Sequence, residues 1–97
     1  MLATTSSELI DTLAQLIDIL DRDGKTHWSQ WMRVAKKRIE ESDLYGVDKV
    51  LAAYGGIGTF NETYLSKSSK EKENFSRLQG KVWMLARDIQ SSLEPAE

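Results

Sequence analysis

From Leu9 onward the chain places apolar side chains at intervals of three and four: Leu9, Ile10, Leu13, Leu16, Ile17 and Leu20. That spacing puts all six on one stripe of a helix, whereas a strand would alternate with a period of two. A lone helix of this length is marginal in water, so the stripe must be buried against other elements. Thr5, followed three residues later by Glu8, has the spacing of a capping box that opens the helix. Asp23-Gly24 closes it.

The same arithmetic predicts three further helices. Thr26 caps the second, from His27 to about Glu41, with Trp28, Met32, Ala35 and Ile39 on its buried line. His27, Trp31 and Val34 form a flank that is either covered by a neighbouring helix or offered to a partner. Ser42 or Asp43 opens a shorter third helix in which Leu44, Val47, Val50, Leu51 and Tyr54 share a face, with Gly46 a local weakness. Gly55-Gly56-Ile57-Gly58 then turns the chain. Thr59 with Glu62 repeats the capping-box spacing, giving a short extra helix from Phe60 to about Leu65, and residues 66–69 read as a polar loop. Ser68 and Glu71 open the last helix, which runs to about Leu93 through Phe75, Leu78, Val82, Leu85, Ala86 and Ile89. Trp83 and Met84 fall off that stripe and need a second buried face or a partner.

The expected fold is therefore all-α: a small bundle of four main helices, with a glycine-rich turn and a short extra helix between the third and the last. Its 97 residues are one domain, with disordered ends at about 1–4 and 94–97. The chain has no cysteine, which removes disulfides, thiolate nucleophiles and cysteine-rich zinc sites. Thirteen basic against fifteen acidic residues give a net charge of −2, and glutamates interrupt the lysines around Lys70, so no nucleic-acid partner is expected. Neither a signal peptide nor a long apolar run is present, which predicts a cytoplasmic protein with no membrane association.

Candidate chemistry fails on inspection. The segment from Gly55 to Asn61 follows a helix rather than a strand and lacks a Gly-Lys-Ser/Thr ending, so it is not a phosphate loop. It is either a helix stop or a loop presented to a partner. Asp18, Asp21 and Asp23 do not fall into the register of a calcium loop. They make either a solvated acidic end or a charged contact for a basic partner. His27 is the single histidine and has no zinc partner. No catalytic, cofactor-binding or metal-ligating residue is expected, and the chain does not read as an enzyme.

Ser42-Asp43-Leu44-Tyr45-Gly46-Val47 and the run from Leu51 to Glu62, with Trp28 and Trp31 upstream, resemble the signature of a family of small uncharacterised bacterial proteins. In that family a helix ends in Tyr-Gly-Gly-Met-Gly-Ser-Phe-Asn-Asp or a close variant. Ile57 here stands for Met, Thr59 for Ser and Glu62 for Asp. Some members look like immunity proteins encoded beside toxins of interbacterial competition, and the family supplies no catalytic residues. The resemblance implies an antitoxin-like protein that binds a cognate toxin through direct contact. The residues expected at the contact are Trp31, Val34, Ile57, Thr59, Phe60, Asn61, Trp83 and Met84, with Asp21 and Asp23 as a charged rim. The alternative is a structural or homo-oligomeric helical module, in which the off-stripe side chains close a twofold interface of a homodimer.

Overall fold

Four helices, α1 (Leu2–Arg22), α2 (Thr26–Glu40), α3 (Tyr45–Ala52) and α4 (Lys72–Leu93), make up the fold. The structure, a computed structural model, describes residues 2–54, 60, 65 and 70–93, and no strand occurs among them. Helix α1 packs on α2 and α4, and α3 packs on the same two, so α3 closes the bundle opposite α1. The all-α bundle expected from the periodicity is the fold observed.

Leu9, Leu13, Leu16 and Leu20 are fully buried, and the buried line Phe75, Leu78, Val82 and Ile89 meets them from α4. Because α1 has a neighbour on each side, its buried face is wider than one stripe and takes in Thr12 and Ile19. The Thr12 hydroxyl donates to the Glu8 carbonyl at 2.7 Å, which satisfies it inside the core. The helix begins at Leu2, ahead of the expected start after Thr5, and takes in residues 2–4 that had the look of a disordered end. A capping box favours a start without forbidding an earlier one, and no helix breaker stands in residues 2–4.

Helix α1 ends as expected at Gly24, whose φ of 75° only glycine adopts without cost. The Gly24 N–H donates to the Asp21 carbonyl at 3.1 Å and the Lys25 N–H to that of Leu20 at 2.9 Å. This closed stop leaves Lys25 at the N-cap of α2, and Thr26, expected as the cap, is the first helical residue. Helix α2 stops in the same way on Ser42, at φ 61°. The Ser42 N–H donates to Ile39 at 3.0 Å and that of Asp43 to Arg38 at 2.8 Å. Asp43 rather than Ser42 opens α3, its carboxylate accepting the Tyr45 N–H at 3.0 Å.

Gly46 is more than the weak spot its type suggests. A Cβ there would lie 2.6 Å from the Ala35 carbonyl oxygen and 2.8 Å from Ile39 Cγ1, so glycine is what lets α3 lie this close to α2. Between α3 and α4, Phe60 is 0% exposed. Its ring sits 5.4 Å from Trp28, 5.5 Å from Tyr54 and 5.9 Å from Phe75, in tilted and edge-on contacts. Its N–H donates to the Ala53 carbonyl at 2.8 Å, and its carbonyl accepts the Gln79 side-chain amide at 2.6 Å. The glycine turn, the short extra helix apart from Phe60 and Leu65, the loop 66–69 with the Ser68 cap, and residues 94–97 lie outside the described residues.

Candidate functional site

Helix α3 has 8 residues against 15 in α2 and 22 in α4, and a groove runs along each of its sides. The groove toward α2 has a volume of about 410 Å³ and is lined by Trp31, Val34, Arg38, Tyr45, Asp48, Lys49 and Ala52. The last turn of α3 tightens, with Ala53 bonding to Val50 and Tyr54 to Leu51, each at 3.1 Å. The Lys49 carbonyl thereby left over accepts the Trp31 indole N–H at 2.9 Å. The Lys49 ammonium in turn lies 3.9 Å from the centre of the Trp31 ring. Trp31 is thus half-buried and fixed from both sides, with Trp28 against its edge at 5.5 Å. Around it Val34 is 45% and Tyr45 70% exposed.

The groove toward α4 is larger, about 710 Å³, and includes Leu51, Tyr54, Ser76, Gln79, Trp83 and Arg87 in its lining. Burial pushes the Tyr54 phenol well above its ordinary pKa, and its hydroxyl donates to the Gln79 carbonyl at 2.8 Å. Trp83 is 42% exposed, with the Arg87 guanidinium 5.6 Å from its ring. Met84 is 61% exposed and is not among the residues lining either groove.

The expected contact residues thus separate. Trp31 and Val34 share the α2/α3 groove, while Trp83 stands in the other. Phe60, expected on a partner-facing loop, belongs to the core, because the rings of Trp28 on α2, Tyr54 just past α3 and Phe75 on α4 enclose it. Ile57, Thr59 and Asn61 lie outside the described residues. Asp21 and Asp23 are engaged within the chain. Hydrogen bonds from the Ser29 hydroxyl and the Arg33 guanidinium, the latter at 2.6 Å, hold the Asp21 carboxyl below the usual carboxylate range. Asp23 lies 3.8 Å from the Lys25 ammonium with its side chain 8% exposed. Asp18 and Glu71 flank Arg22, tying α1 to the start of α4.

Tyr45 and Lys49 escaped the sequence reading. Tyr45 falls off the apolar face of α3, and the off-stripe criterion that singles out Trp83 finds it too. Lys49 has no such signal, because its role depends on an indole from another helix. Among the described residues no three histidine, aspartate or glutamate side chains gather as a metal site, and no helix is long and apolar enough to cross a membrane.

Fold and surfaces together define a small all-α bundle with an open groove on either side of its shortest helix. The model of a family described as a domain of unknown function, DUF6966, matches residues 21–73, and the chain belongs to that family. No curated protein and no solved structure matches it. The matched segment runs from the end of α1 to the first turn of α4, so it contains every residue lining the α2/α3 groove.

Proposed function

We propose that this protein is a cytoplasmic immunity protein, which binds a cognate bacterial toxin by direct contact and neutralises it without chemistry of its own. The observation that carries this reading is the α2/α3 groove, where a fixed Trp31 stands beside the exposed Val34 and Tyr45. Large apolar side chains held in one conformation lose little entropy on binding, and tryptophan and tyrosine supply a disproportionate share of interface energy. The toxin as partner comes from the resemblance of the segment between Ser42 and Glu62 to immunity-like proteins of interbacterial competition. Ile57, Thr59 and Asn61 follow α3 in that segment and extend the proposed contact.

The test is calorimetric titration of the toxin encoded beside this gene with the purified protein. A stoichiometric complex that suppresses toxicity in cells is expected, with Tyr45→Ala weakening it by about 2 kcal/mol, as an interface anchor does. No complex with that toxin, or a complex indifferent to Tyr45→Ala and Val34→Asp together, overturns the reading.

A further inference from the structure

Helix α4 carries a seam that the fold of one chain does not use. Glu73, Ser76, Gly80, Trp83 and Arg87 follow at alternating intervals of three and four, the spacing of a helix-helix contact, and all five are exposed. Glycine weakens a helix interior but lets another backbone approach closely. At Gly46 the approach is internal, but among the described residues a Cβ at Gly80 would meet no atom within 4 Å. No described residue of the chain fills the space over Gly80, which leaves it open to a neighbouring helix.

We propose that the occupant is a second copy, whose α4 crosses this one antiparallel about a twofold axis through Gly80. Glu73 and Arg87 stand seven residues either side of Gly80, two turns up and two turns down. The axis therefore sets Glu73 against Arg87 of the partner subunit and Arg87 against Glu73 of the partner subunit. Neither makes an ion pair within the chain among the described residues. The same operation brings Trp83 to the small Ser76 and to Arg77 of the partner subunit, a large ring against a gap and a cation. The seam is thus complementary to itself in both charge and bulk, the requirement of an isologous interface. This surface is distinct from the α2/α3 groove, so its failure leaves the toxin reading intact.

Sedimentation equilibrium on the full chain tests it. A dimer with a micromolar Kd at low salt is expected, weakening several-fold as salt screens the paired charges. Arg87→Glu and Glu73→Arg each raise the Kd tenfold or more. A chain carrying both changes dimerises again, and so does an equimolar mixture of the two single variants. Gly80→Leu, shown to be folded by circular dichroism, remains monomeric. A wild-type monomer at millimolar concentration, a dimer indifferent to either charge reversal, or no recovery in the doubly changed chain overturns the proposal.

Discussion

The Trp31 indole N–H donates to the Lys49 carbonyl at 2.9 Å, tying the middle of α2 to the last turn of α3. One side chain of α2 thereby satisfies a carbonyl that the tightened end of α3 leaves without a helical partner. Trp31→Phe keeps a ring but removes the donor. Urea denaturation is expected to show a loss of about 1 kcal/mol, the usual net worth of such a bond plus part of the cost of an unpaired carbonyl. A variant as stable as the wild type contradicts this account of α3.

Gly46→Ala and Gly80→Ala are expected to act in opposite directions. At position 46 the methyl group meets a backbone oxygen at 2.6 Å that cannot swing away, so α3 must move off α2 at a cost of about 1–3 kcal/mol. At position 80 no described residue stands in the way, and alanine gains about 0.5–1 kcal/mol of helix stability. Thermal unfolding of the two variants at low protein concentration separates the cases.

Ser42 pays for a left-handed backbone, at φ 61°, in the position where α1 has Gly24. Ser42→Gly relieves that strain and is expected to raise stability by about 0.5–1 kcal/mol, net of the extra freedom glycine gives the unfolded chain. Ser42→Val, whose branched side chain tolerates this conformation poorly, is expected to lower it. Equal midpoints for all three chains in urea would rule out strain at this turn.

Alkaline pH has a defined effect through Tyr54. Burial raises its pKa in the folded state above that of the unfolded chain, so the unfolded chain loses its proton first. Stability is unaffected by this group below about pH 10 and falls as pH rises beyond it. Tyr54→Phe loses the hydroxyl's bond to Gln79 at every pH but is expected to flatten that alkaline decline. A wild type and a Tyr54→Phe variant that decline in parallel above pH 10 would count against burial as the cause.

The helices of this protein were legible where the information is local. The stripes of α1 and α4 repeat at the helical period over many turns, and Asp23-Gly24 marks its stop by residue type alone. The turn at Ser42 has the same bonding without a glycine, so the sequence marks the break between α2 and α3 but not its left-handed residue. Gly46 reads as a weakness until Ala35 and Ile39 are brought against it. Phe60 reads as part of a presented loop because its burial is decided by Trp28, Tyr54 and Phe75, which lie far apart in the sequence, on α2, just past α3 and on α4. For the candidate site, Trp31 and Val34 were visible as off-stripe residues of one helix. Their association with Tyr45 and Lys49 arises only from packing.

Phe60 lies partway along the connection from α3 to α4 and is fastened there by its ring, its N–H and its carbonyl. An anchor at an intermediate point replaces one long loop closure by two shorter ones, and the closure cost grows with loop length. Loss of the Phe60 ring therefore loosens α2, α3 and α4 together, because Trp28, Tyr54 and Phe75 all lose the same neighbour.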